Sequence, residues 1–318
     1  MEFHRATPDE RRIYYQEEWS ERDLPSFIIE SLEMREFGFD HDGFGPKDRY
    51  NRFNGVDELG IFLRERAPFS AYNSVSYYDE PDKRKGWKKA ELVFDIDTKE
   101  MKIKTCCPTG QVCNDCLERA KEVALEITNI LEGNLGVKDI FHVYSGRGYH
   151  IRVFDEDIMA QGSEVRAEIF DFVRDSLYTS PDSMMNPPVF ISPLTKKVLE
   201  KIIMGGPDYL TKVCGIGEIK AQKLYVKRED IIDDIKSDRI TGLKEVLGEK
   251  SAQKFLEHIY KAHVTVLDAK VTVDIKRILR LPSSLHSTVS MKCMEIKDLR
   301  AFAPLRDAVP KFVRERRE

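Results

Sequence analysis

No stretch of the 318-residue chain approaches the roughly 18 consecutive apolar residues that a membrane-spanning helix requires, so no membrane association is expected. The opening MEFHRATPDERR has no apolar h-region and does not read as a secretory signal, so the chain is expected inside the cell. An excess of positive charge is also missing: 51 Lys and Arg face 55 Asp and Glu, a formal net charge of −4. That excludes a uniformly basic, histone-like nucleic-acid binder but leaves room for a basic cleft on an acidic body. There is no internal repeat, no low-complexity tract, and no Ser or Cys in a hydrolase motif. What is present, 33% charged and 41% hydrophobic residues, fits a folded protein of roughly two domains, or one large domain with an insertion.

Cysteines are few, six in all, yet four crowd into CC-x5-C-x2-C: Cys106, Cys107, Cys113 and Cys116. In a reducing compartment such a cluster reads as a metal site. Thiolates suit tetrahedral zinc, and four of them leave no open coordination position, so the zinc would be structural. Pro108 and Gly110 supply the turn. Adjacent cysteines seldom both ligate one ion, so His142 is an alternative fourth ligand. Cys214 and Cys293 have no partner at metal spacing and read as core residues.

Along the chain, residues 8–36 carry helical periodicity, 35–53 read as strand, loop, strand, and 55–66 as a helix. YNSVSYY (72–78) reads as a strand followed by an exposed basic loop, EPDKRKGWKK. ELVFDID (91–97) is a strand, and 115–132 an amphipathic helix with Leu117, Ala120, Val123, Ala124, Ile127 and Leu131 on one face. IFHVYSG (140–146) and YHIRVF (149–154) are strands about a glycine turn, and 161–178 is a helix. Short helices and Gly pairs mark 190–262 as a helical insertion. The strand signal returns at 264–273, and DIKRILRLP starts a further helix. The charged tail KFVRERRE reads as helical or frayed. The expected organisation is a core of 1–189 and 263–318, a knuckle at 104–118 and the insertion at 190–262.

Three segments carry chemistry. Side chains alternate along a strand, so Val93, Asp95 and Asp97 share one face while Leu92, Phe94 and Ile96 face a core. Two carboxylates about 7 Å apart along one face repel unless a cation intervenes. Hard oxygen ligands of this kind suit magnesium or manganese. In SGRGYH (145–150), Gly146 and Gly148 permit close approach to a ligand. Ser145 offers a hydroxyl, and Arg147 a fork for phosphate. His150 and Arg152 share a face of the outgoing strand. Further on, Asp268 would complete a three-carboxylate cluster for two metals. Asp274 competes for that role, although opening a helix would explain it as a cap. Arg277 and Arg280 lie three apart on that expected helix, and His286 follows.

REFGF (35–39), RYNRF (49–53), ELVFDID, the cysteine set, VYSGRGYH (143–150) and LD-x5-D-x2-RILRLPSSLH (267–286) together resemble the small, catalytic subunit of archaeal and eukaryotic DNA primases. The segments occur in the family's order over most of the chain, most like an archaeal version. The resemblance implies an α/β (α+β) primase fold: a mixed β-sheet core flanked by helices, with a zinc knuckle and a small helical insertion. It implies a DNA-templated polymerase making short RNA primers de novo from NTPs on single-stranded DNA, with DNA primers as a further product. Asp95, Asp97 and Asp268 would bind two Mg2+ or Mn2+ ions. Arg49, Ser145, Arg147, His150, Arg280 and His286 would contact nucleotide phosphates, and Glu36 lies in the matching REFGF element. A primase large subunit is the implied partner, and a cytoplasmic, nucleoid-associated place in an archaeal cell the implied location.

Two other readings remain: a repair-type primase-polymerase extending existing ends, and a non-catalytic zinc-containing nucleic-acid scaffold. LTKVCGIGEIKAQKL (210–224) resembles a helix-hairpin-helix, whose backbone N–H groups would meet a DNA phosphate; a tight turn between core helices is the alternative. Lys83, Arg84, Lys85, Lys88 and Lys89 are candidates for a template groove, with a solvated loop as the simpler account.

Overall fold

The computed structural model describes residues 3–104, 106–108 and 111–316. Contacts divide the chain into two compact units. One comprises Met1–Thr98, Val112–Phe170 and Asp268–Glu318, and the other Lys99–Gln111 and Asp171–Leu267. These bounds stand beside the expected breaks at 190 and 262.

The strands are β1 Phe37–Asp40, β2 Asp48–Asn51, β3 Ser70–Ser74, β4 Ser76–Glu80, β5 Lys85–Ala90, β6 Leu92–Asp97, β7 Ile140–Tyr144, β8 Gly148–Val153, β9 Ile278–Arg280, β10 Leu285–His286, β11 Met291–Lys292 and β12 Met294–Ile296. All belong to the first unit. They form two four-stranded sheets, β2-β1-β3-β9 and β12-β7-β8-β6, with hairpins β4-β5 and β10-β11. The chain is thus a mixed α/β protein, and every strand pairing among the described residues is antiparallel.

Alternation along β6 sets the second sheet. Leu92, Phe94 and Ile96 are buried, and the helix Asn114–Leu135 packs on this sheet. Its buried stripe includes Leu117, Ala120, Val123, Ala124, Ile127 and Leu131, the face the periodicity predicts. The helix ends at Gly136, whose φ of 67° is the left-handed conformation glycine adopts without strain.

The second unit is helical. Its core joins Leu199, Ile202, Leu210, Leu224, Ile231, Leu243, Phe255 and Leu256. Within it the helices Pro207–Cys214 and Glu218–Val226 meet at Gly215, with φ 66°. Ala221 and Leu224 are fully buried, and Cys214 is buried as well. Among the described residues, no helix is long and apolar enough to cross a membrane.

Several local expectations are overturned. Residues 264–273 are not a strand: the helix Glu249–Val264 gives way after a short turn to the helix Ala269–Val273. DIKRILRLP is not a helix; it holds β9, which pairs with β3. β-Branched and aliphatic runs of this length fit either state, and the neighbouring strand decides. The basic loop after β4 folds back as β5. The periodic stretch 8–36 is broken into a helix at Pro8–Ile13, a π turn at Tyr14–Glu18 and short turns beyond, with Pro25 at the head of Ser26–Ile29. The tail keeps a helix at Lys311–Glu315.

Candidate active site

Sheet register brings the first carboxylates together with the glycine turn. Asp95 pairs with His150 and Asp97 with Gly148 across β6 and β8. Close approach there requires glycine: a Cβ on Gly148 would sit 1.9 Å from the Ile96 carbonyl oxygen. Gly146, with φ 96°, leaves room for His286, whose Cβ would lie 2.4 Å from an added methyl.

Asp268 arrives from far along the chain. Its N–H donates to the Asp95 carbonyl at 3.4 Å. It caps the helix Ala269–Val273, its Oδ1 accepting from the Lys270 N–H at 2.9 Å. The capping role anticipated for Asp274 therefore falls on Asp268, and Asp274 instead bonds the Lys276 N–H in a turn. A cap uses one carboxylate oxygen, and Oδ2 meets Arg277 at 3.4 Å.

The opposite wall comes from the other sheet. Gly38, Tyr72 and Arg280 lie in one row across β1, β3 and β9. A Cβ on Gly38 would approach Arg49 Cδ to 2.9 Å, so the missing side chain gives Arg49 its path over β1. The Arg280 guanidinium lies 5.3 Å from the Tyr72 ring centre and donates to Ser70 Oγ at 2.9 Å. Arg277 and Arg280 thus sit on a turn and a strand, not one helix.

Residues of both walls line a cleft of about 630 Å³ that includes Arg49, Asp95, Asp97, Ser145, Arg147, His150, Arg280 and His286. Asp268 is the expected site residue outside that lining, held beside Asp95 by its backbone. Each carboxylate faces a side chain that is cationic when protonated. Asp97 takes both arms of the Arg147 fork, at 3.0 and 2.5 Å. Asp95 Oδ1 lies 3.4 Å from His150 Nε2, and Asp268 meets Arg277. Arg147, expected on phosphate, is thus on a carboxylate here. The sequence pattern missed Tyr72, Lys276 and Arg277's pairing, and it offered Arg84 only as part of a template groove; the fold turns these residues to the cleft.

Burial, then the charges of Asp97 and Asp268, push the Asp95 carboxyl up to about 7, partly offset by Arg147 and Arg277. Burial pushes the His150 and His286 imidazoles well below their ordinary value, reinforced by Arg152 and Arg280 for the first and by Arg280 and Arg147 for the second. Both therefore favour the neutral ring near pH 7. Among the described residues, His150 Nδ1, His286 Nδ1 and Arg49 Nη2 are buried without a hydrogen-bond partner. Three crowded carboxylates whose mutual repulsion raises a pKa are the donor set a divalent cation relieves, and oxygen ligands match magnesium or manganese.

The four cysteines form a group that could hold a metal ion. All four sulfurs lie within 4.8 Å of one another, and Cys113 and Cys116 are 3.6 Å apart. Tetrahedral zinc with arms of about 2.3 Å places sulfurs about 3.8 Å apart. The adjacent Cys106 and Cys107 both join the group. His142 does not: it lies on β7 with Nε2 2.8 Å from Thr128 Oγ1. Gly110, expected in the turn, falls outside the described residues, while Cys293 is buried in the first unit.

Aspartates, arginines and imidazoles from two antiparallel sheets thus line one polar cleft in a mixed α/β protein. The chain belongs to the DNA primase small subunit family, whose model matches residues 94–297. The DNA primase small subunit of Methanothermobacter thermautotrophicus is 44% identical, over 99% of this chain and 98% of its own length. That of Methanobrevibacter smithii is 43% identical, over 99% and 100%, and that of Thermococcus kodakarensis 40%, over 98% and 94%. A solved polymerase domain of Mycobacterium tuberculosis ligase D in complex with DNA covers 55% of this chain and 66% of its own, at 15% identity and a TM-score of 0.34; so distant a likeness adds no weight.

Proposed function

We propose that the chain is the catalytic subunit of a DNA primase, joining NTPs de novo into short RNA primers on single-stranded DNA. The observation that carries this reading is Asp268 held by its backbone beside Asp95, which with Asp97 lines a cleft walled by arginines and histidines. When bound, two Mg2+ or Mn2+ ions supply Lewis acidity to the attacking 3′-hydroxyl and the leaving pyrophosphate.

The chain's own groups do the rest. Asp95, Asp97 and Asp268 hold the ions. Arg147, whose fork lies on Asp97 in the cleft, would offer its paired N–H groups to phosphate oxygens if Asp97 held an ion. Arg280 and Arg49 offset charge that grows on the phosphates, and neutral His150 and His286 donate hydrogen bonds without adding charge. Ser145 contributes its hydroxyl at the turn. The four cysteines hold a structural zinc, 190–262 forms a helical insertion within the sequence of the catalytic core, and a large subunit completes the enzyme.

The test is dinucleotide and primer synthesis on single-stranded DNA with Mg2+ or Mn2+, with and without the large subunit. Asp95→Asn is expected to lower synthesis by at least about a hundredfold, since it removes a ligand shared by the transition state. Full activity in that variant overturns the reading. Extension of primed ends with no unprimed synthesis would instead assign a repair-type polymerase.

A further inference from the structure

The basic run after β4 does not behave as one surface. Lys83, Lys88 and Lys89 each meet a carboxylate, of Glu80, Asp79 and Glu156 respectively. Arg84 does not follow them. It ends the β4-β5 turn with φ 51°, a left-handed backbone unusual for arginine, and its side chain lines the cleft that contains Asp95 and Asp97.

What holds it there is Glu36, a carboxylate with no solvent exposure. Arg84 Nε donates to Glu36 Oε2 at 2.6 Å, and Arg49 Nε donates to Oε1 at 2.7 Å. The Tyr50 N–H adds a third bond to Oε1 at 3.4 Å. Both guanidiniums also lie over the Tyr50 ring, at 5.0 and 5.7 Å. Each arginine spends only its Nε on the carboxylate. Among the described residues, neither Nη of Arg84 has a hydrogen-bond partner, and Arg49 Nη2 is buried without one.

One buried anion thus orients two cations that line the cleft, leaving a net positive charge there and the Nη groups of Arg84 uncommitted. Paired N–H groups in a plane match phosphate oxygens, and their pre-orientation lowers the entropy cost of binding. Arg49 crosses Gly38, in the row that ends at Arg280, so the forks continue the cationic wall that faces the carboxylates.

We propose that Arg84, locked beside Arg49 by Glu36, is a binding residue for the triphosphate tail of the incoming nucleotide; this rests on the nucleotidyl-transfer reading of the cleft. Arg84→Gly is the informative variant. Glycine relaxes the left-handed backbone, so the fold is kept while the fork is lost. Arg84→Lys keeps charge and loses the fork.

Equilibrium binding of ATP with Mg2+, and of a single-stranded oligonucleotide, is measured on the full chain for each protein. ATP affinity is expected to fall about tenfold in Arg84→Gly and by an intermediate factor in Arg84→Lys, with oligonucleotide affinity changing less than twofold. Unchanged ATP affinity in Arg84→Gly, with the wild type binding normally, overturns this inference alone. A loss confined to the oligonucleotide overturns it in favour of a strand phosphodiester. A wild type with no ATP affinity removes the primase reading and this inference together.

Discussion

Replacing Glu91 by Gln changes one atom type in the most charged part of the core. Glu91 precedes β6 and continues the alternation of Val93, Asp95 and Asp97. Its carboxylate is fully buried and pairs with two fully buried arginines, Arg35 and Arg152. Arg35 has other partners: Ser31, the Ser74 carbonyl and the Tyr77 hydroxyl, each at 2.6 Å. Arg152 lies over the Phe27 ring, but among the described residues its Nε and Nη2 are buried without a hydrogen-bond partner. Gln turns an amide toward a guanidinium and leaves two positive charges without their anion. Breaking a buried pair by removing one partner costs about 3–5 kcal/mol, and Arg152's isolation places this case near about 4 kcal/mol. That is a large share of the roughly 5–15 kcal/mol by which a domain is stable. At about 2–4 °C per kcal/mol the melting temperature should fall by about 8–16 °C. The chain has two tryptophans, Trp19 and Trp87, both in the first unit, so their fluorescence in a urea titration reads this unit alone. The double variant Glu91→Gln with Arg152→Met should recover part of the loss, a coupling that a cycle measures. A loss below about 1 kcal/mol in the single variant, or no coupling, refutes the argument that Glu91 is the obligatory counter-charge.

Gly146→Ala should leave the chain folded, by circular dichroism, but cut primer synthesis by more than about tenfold, because the new methyl would claim the seat of His286; wild-type activity would show that His286 does not depend on that gap. Burial pushes the Cys214 and Cys293 thiols up to about 12, so both should resist a thiol reagent at pH 8 in the native chain and react once it is unfolded. The same shift gives stability that is complete below the unfolded value of about 8.5 and lost as pH rises toward about 12, which alkaline melting curves will record. Cys113→Ser should lower bound zinc from about one ion per chain to nearly none by elemental analysis; retention of the metal would remove Cys113 from the ligand set.

Where local pattern and packing agree, the residues alone were enough. The alternation of ELVFDID placed Asp95 and Asp97 on one face, because the β-strand period of two holds whatever the neighbours are. The stripe from Leu117 to Leu131 defined a helix face, and CC-x5-C-x2-C defined four soft ligands within reach of each other. RILRLP was another matter: its aliphatic spacing serves a helix as well as a strand, and pairing with β3 decided for β9. The same decision moved Arg277 and Arg280 off a common helix. Asp268 and Asp274 compete by sequence for the third carboxylate, and only the contact of the Asp268 N–H with the Asp95 carbonyl separates them.

The order of chemical groups, the alternation of faces and the kinds of ligand on offer were set by the amino-acid sequence itself, because they depend on backbone geometry over a few residues. The tertiary structure decided which charges meet: Arg147 with Asp97, Arg277 with Asp268, and Arg84 with the buried Glu36 48 residues earlier. Partner choice between distant ions follows from burial and from which strands lie side by side, and neither is written in local periodicity.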